Sequence, residues 1–84
     1  MTLAERFGEN LRRHRRRAGL SQEAVGLHAD LHRTEIGLLE RGERTPRIDT
    51  AVKVAGALDV DLGDLLDGIA WQPGKSERGR FEAD

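Results

Sequence analysis

The chain has 84 residues, no Cys and a formal net charge of -1. One small domain is expected, too short to hold a separate effector-binding domain, and the absence of Cys excludes disulfides and thiolate metal sites. No apolar run approaches the roughly 20 residues of a membrane span and the N-terminus lacks a signal-peptide core, so a cytoplasmic location is expected. The near-neutral total conceals an asymmetry. Residues 1–48 carry ten Arg against seven acids, net +3, whereas residues 49–84 carry four basic and eight acidic residues, net -4. Positive charge is gathered in the first half, which is where an anionic partner would be met.

In chain order, Thr2 stands three residues before Glu5, a capping-box spacing that starts a helix. Leu3, Phe7 and Leu11 then recur every four residues along one face, and Gly19 supplies a left-handed stop after Ala18. The run RRHRRR, Arg12 to Arg17, lies on the other faces. It reads as a solvated helix end whose cations suit the negative pole of the dipole, with one or two of them open to phosphate.

Ser21 caps a second helix over Gln22 to Ala29, with Val25 and Ala29 inward. Asp30 occupies a turn position where Gly would be free of strain. A third helix runs from about Arg33 to Arg41, burying Ile36 and Leu39, stopping at Gly42 and presenting Arg33, Thr34, Gly37 and Leu38 on its opposite side. After the loop 43–47, Asp49 starts a fourth helix with Ala51, Val54, Ala55 and Leu58 inward. Asp61 caps a fifth, carrying Leu62, Leu65 and Leu66 and ending near Gly68. The expectation is a compact all-α, five-helix domain over 1–70, with the helix pair at 21–41. The polar QPGKSERGRFEAD at the C-terminal end suggests a mobile tail over 71–84, and no strand pattern stands out.

Two short helices joined by a tight turn, the second with basic, polar and small side chains, have the form of a DNA-reading unit. LSQEAVGLHADLHRTEIGLLERGERTPRIDTAVKVAGALDVDLGDLL resembles the helix-turn-helix domain of the lambda-repressor and Cro type, the XRE family. Several features agree in register: SQE opening helix two, I-x-x-L-E-x-G closing helix three, the Pro beyond it, and A-L-x-V-x-L-x-x-L-L at the end.

The resemblance implies a sequence-specific regulator that binds double-stranded DNA as a homodimer on a palindromic operator, similar to short controller-type regulators. It implies that Gln22 holds a backbone phosphate and braces the recognition helix. Arg33, Thr34 and Leu38 fall at base-contacting positions, with Arg33 suited to guanine, Thr34 to a base edge or thymine methyl, and Leu38 to a thymine methyl. For Arg33 a phosphate contact is the alternative, and for Leu38 simple burial. Arg41, Arg44 and Thr45 match backbone-contacting positions, and His32 caps or flanks helix three near phosphate. Arg15 and Glu40 match a partly buried salt bridge tying helix one to helix three.

Glu35 departs from the family pattern; a local pair with Arg33 or Arg41 is expected, with pointing away from the phosphates or accepting from cytosine N4 as alternatives. Dimerisation is expected through helix five and the residues after it, by Leu62, Leu66, Ile69 and Trp71. For Trp71 the alternative is an indole folded back over the small residues Ala51 and Val54. No cofactor or metal is expected, since His28 and His32 are separated by the turn at Asp30 and no nucleophile–base arrangement or phosphate loop is present. Beside the regulator stands a second reading, an antitoxin-like module of the same fold that captures a protein partner with its tail.

Overall fold

The computed structural model describes residues 1–84 as five helices and a small hairpin: α1 (Leu3–Arg17), α2 (Gln22–Ala29), α3 (Arg33–Glu40), α4 (Ile48–Leu58), α5 (Leu62–Leu65), β1 (Ile69–Gln72) and β2 (Arg80–Ala83). The local chemistry of the ends sets these boundaries. The Thr2 hydroxyl accepts from the Glu5 amide at 3.1 Å, and the Glu5 carboxylate accepts from the Thr2 amide at 2.8 Å. Hydrogen bonding to the Thr2 backbone and side chain accordingly holds the Glu5 carboxyl below the usual carboxylate range. Ser21 caps α2 through the Ala24 amide at 3.0 Å. At the opposite ends, Asp30 and Asp59 take left-handed conformations with φ of 55° each, and Gly19, Gly42 and Gly68 do so without side-chain strain.

The core is the sum of the inward faces. Phe7 and Leu11 from α1, Val25 from α2, Ile36 and Leu39 from α3, Val54 from α4 and Leu65 from α5 are fully buried, with Ala51, Ala55 and Leu58 completing the cluster. Two glycines let α1, α2 and α3 close on this core. An added Cβ at Gly8 would lie 2.2 Å from the Leu39 carbonyl oxygen, so α1 and α3 pack backbone against backbone. One at Gly26 would lie 2.6 Å from the Leu31 carbonyl, so the turn between α2 and α3 folds tightly over α2.

Asn10, one turn beyond Phe7, is also fully buried. Its amide donates to the carbonyls of Leu65 at 3.0 Å and Asp67 at 2.9 Å, satisfying acceptors that the single turn of α5 leaves free. Arg6 adds a bond to the same Asp67 carbonyl at 3.1 Å.

The all-α core matches the sequence reading, but the segment expected as an irregular tail forms structure. β1 and β2 pair antiparallel with Trp71 opposite Phe81 and Ile69 opposite Ala83. These four apolar residues share one face, while Ala70, Gln72, Arg80 and Glu82 share the other, the alternation that period-two geometry requires. Trp71 and Phe81 meet edge to face with ring centroids 5.0 Å apart. The indole lies over Gly79, where an added Cβ would fall 2.4 Å from a ring carbon. The folded-back position considered for Trp71 is therefore not adopted: the side chain is 55% exposed on the hairpin instead of covering Ala51 and Val54. α5 is also shorter than expected, a single turn from Leu62 to Leu65, with its capping box made by Asp61 and Asp64.

Candidate nucleic-acid interface

The exposed side of α3 is held in place by a polar cluster beneath its last turn. Glu40, whose side chain has no exposed surface, receives Arg15 Nε at 2.5 Å and Arg15 Nη2 at 3.0 Å, one on each carboxylate oxygen. Arg12 Nε at 3.3 Å and Gln22 Nε2 at 3.1 Å complete its surroundings. Arg15 also donates to the Leu20 carbonyl at 2.9 Å, so one guanidinium joins α1, the start of α2 and the end of α3.

Burial pushes the Glu40 carboxyl up. The hydrogen bonds from Arg15 and Gln22, with the Arg15 charge, outweigh it and hold the group below the usual carboxylate range. The same contact raises Arg15 above its ordinary value. The arrangement fixes the relative position of the two helices of the pair.

α3 begins at an unusual cap. His32 Nδ1 accepts from the Thr34 amide at 3.0 Å. An accepting Nδ1 places the ring proton on Nε2, which is left as a free donor on an exposed side chain. Arg33 and Thr34, in the first turn, are both exposed, while Leu38 is half-buried beside fully buried Leu39. Gly37 is buried because Gln22 and Arg41 close over it. An added Cβ there would meet Arg41 Nη1 at 3.0 Å and Gln22 Oε1 at 3.6 Å.

Gln22, expected to hold phosphate, thus spends one amide hydrogen on Glu40 and keeps the other. Glu35 is bound by neither Arg33 nor Arg41. Arg44 Nη1 reaches both of its oxygens, at 2.8 and 3.0 Å, because the loop after Gly42 doubles back along α3. Arg41 pairs with Glu43, Arg33 stands 3.9 Å from Glu23, and Thr45 is exposed in the loop.

Of the four expected dimer residues, Leu66 and Trp71 are exposed, whereas Leu62 and Ile69 are half-buried against the core. Ile48 and Val52, one turn apart on the outer face of α4, are exposed as well. Sequence reasoning overlooked them because the inward residues of α4 already formed a complete apolar stripe. No helix is long and apolar enough to cross a membrane.

Known proteins resemble this chain in sequence and fold. The helix-turn-helix family HTH_3 matches residues 11–65. The control protein C.BamHI of Bacillus amyloliquefaciens is 42% identical over 62 residues, covering 73% of this chain and 76% of that protein. The control protein C.SmaI of Serratia marcescens is 39% identical over 66 residues, covering 79% of each chain. Among solved structures, the restriction-modification controller protein C.AhdI from Aeromonas hydrophila superposes with a TM-score of 0.72 at 37% identity, covering 74% of this chain and 94% of that one. With the family pattern spanning α2, the turn and α3 in register, the chain belongs to the helix-turn-helix family HTH_3.

Proposed function

We propose that this DNA-binding regulator reads a double-stranded operator by laying α3 in the major groove, with Arg33 and Thr34 on base edges. The observation that carries the reading is the exposed first turn of α3, held by the Arg15–Glu40 pair beneath its last turn. A reading helix must present its side chains from a fixed backbone, since contacts misplaced by an ångström lose their discrimination. Around it, the free Nε2–H of His32, the remaining amide hydrogen of Gln22, and Arg41, Arg44 and Thr45 are suited to phosphate. Leu38 is half-buried beside Leu39 and offers a thymine methyl less surface than the exposed Arg33 and Thr34 offer their bases.

The test is fluorescence anisotropy against duplex DNA from upstream of the protein's own gene and against scrambled duplex, at two salt concentrations. Salt-sensitive binding that prefers the upstream duplex is expected. Arg33→Ala is expected to lose about 1–3 kcal/mol of that preference. Equal weak binding to both duplexes, unchanged by Arg33→Ala, contradicts the assignment.

A homodimer on a two-fold operator follows from the weakness of one such reader, with recognition helices roughly 34 Å apart. The exposed Leu66, after α5, and the exposed Ile48 and Val52, on the outer face of α4, are apolar side chains of the kind a symmetric contact would bury. Leu66→Lys with Ile48→Lys is expected to leave a folded monomer in sedimentation velocity and to weaken operator binding at least tenfold. A double variant that still sediments as a dimer rules out this surface.

One observation favours a second reading, capture of a protein partner: the hairpin lies outside residues 11–65 and carries the exposed pair Trp71 and Phe81. If Trp71→Ala leaves DNA binding intact but abolishes regulation in cells, that reading gains the hairpin.

A further inference from the structure

The arginines facing outward around α3 are not bare. Arg33 Nη1 lies 3.9 Å from Glu23 on α2, Arg44 holds both oxygens of Glu35 on α3, and Arg41 is paired with Glu43 in the loop. Three cations and three carboxylates cancel where the surface meets DNA. Arg16 and Arg17, on the last turn of α1, are exposed and make no ion pair, while pairs such as Arg47–Asp49 and Arg80–Glu82 lie elsewhere on the chain, so it is the position of these three pairs around α3 that matters.

A carboxylate offers a guanidinium the same bidentate acceptor geometry as a phosphate. Tethered on the same domain, it competes at high effective concentration. It also repels the phosphates that approach it. Exposed pairs of this kind are weak, about 0–1 kcal/mol each. A duplex that also satisfies Arg33 and Thr34 at base edges can displace them, whereas one offering backbone alone gains little by doing so.

We infer that Glu23, Glu35 and Glu43 determine specificity by masking Arg33, Arg44 and Arg41 from arbitrary duplex DNA, so that affinity depends on correct base contacts. This rests on the DNA-reading assignment above. The three are unequal. The Glu35 side chain is only 24% exposed and bound through both oxygens, so it is the strongest mask, whereas Glu23 and Arg33 are each 68% exposed and loosely set.

The experiment needs no operator. A random-sequence duplex is titrated with wild type, with Glu23→Gln/Glu35→Gln/Glu43→Gln and with Glu77→Gln, which removes a carboxylate in the hairpin loop. Affinity is measured across a salt series, with circular dichroism to verify folding. Each arginine freed to reach a phosphate steepens the slope of log affinity against log salt by about 0.9. The triple variant is therefore expected to steepen it by roughly 2–3 and to bind random duplex about tenfold more tightly at low salt. Glu77→Gln should match wild type. Glu35→Gln alone, with an expected step of about 0.9, carries the test should the triple variant lose its fold.

Wild-type binding with slopes the same in all variants overturns the inference and leaves the DNA-reading assignment standing. Failure of every protein to bind duplex at the lowest salt overturns both.

Discussion

Glu40→Ala is expected to destabilise the domain by about 3–5 kcal/mol, a large share of the roughly 5–15 kcal/mol that a folded domain commands. The carboxylate is enclosed, and Arg15, Arg12 and Gln22 all point at it. Removing it leaves the Arg15 guanidinium, with only 14% of its side chain exposed, without its counter-charge in a site that solvent reaches poorly. Glu40→Gln keeps the shape and part of the hydrogen bonding, so its cost should be smaller, and urea denaturation followed by circular dichroism orders the two.

The pH dependence has a definite sign. Because Glu40 titrates lower in the folded than in the unfolded chain, its contribution is fully present above the unfolded value of about 4.3 and disappears as the pH falls through its lowered folded value. Wild type should therefore lose stability in that acid range, and Glu40→Gln should lose less. A Glu40→Ala protein as stable as wild type, with an unchanged acid limb, refutes the bracing role. DNA affinity of the folded fraction should also fall in Glu40→Ala, because α3 loses its tie to α1 and to the start of α2.

Features encoded by neighbouring residues were legible in the sequence, and those made by distant residues were not. The Thr2–Glu5 box, the Ser21 cap, the left-handed Asp30 and the stop at Gly42 are each settled within a few residues, so the helix pair could be drawn from the chain alone. Asn10 is different. A polar residue between Phe7 and Leu11 gave no sign of burial, because the acceptors that make it tolerable come from residues 65 and 67. The partner of Glu35 escaped for the same reason. Arg33 and Arg41 flank it on its own helix, while the loop that returns Arg44 is set by Gly42, where an added Cβ would meet Glu5. The hairpin was the clearest miss. Its strands are four residues each, too short for alternation to stand out, and their pairing rests on Trp71 meeting Phe81 across a polar loop.

Gly8→Val is expected to lower the melting temperature by on the order of 15 °C or more, and Gly56→Ala to raise it, although both replace a glycine inside a helix. Helix propensity alone predicts that each gains roughly 0.5–1 kcal/mol with Ala. Gly56 should realise that gain, because nothing beyond the backbone of its own helix lies within 4 Å of its added Cβ. At Gly8 the Cβ would sit 2.2 Å from the Leu39 oxygen and 2.6 Å from the Glu40 oxygen, and neither is a side chain that can rotate away.

Relief requires α1 and α3 to separate until those contacts reach the 3.4 Å of ordinary van der Waals approach. That movement pulls Phe7 and Leu11 from Ile36 and Leu39 and draws Arg15 from Glu40, so packing and the ion pair fail together. Valine, branched at the same carbon, should exceed the usual overpacking cost of about 1–3 kcal/mol, with Gly8→Ala intermediate. Thermal melts of the three variants decide the matter: Gly8→Ala melting at or above wild type would mean that α3 does not rest on α1 as described. If it melts lower, its remaining folded fraction should bind operator less tightly than wild type. The surface proposed to read DNA would then owe its position to a missing side chain on the face of α1 that backs α3.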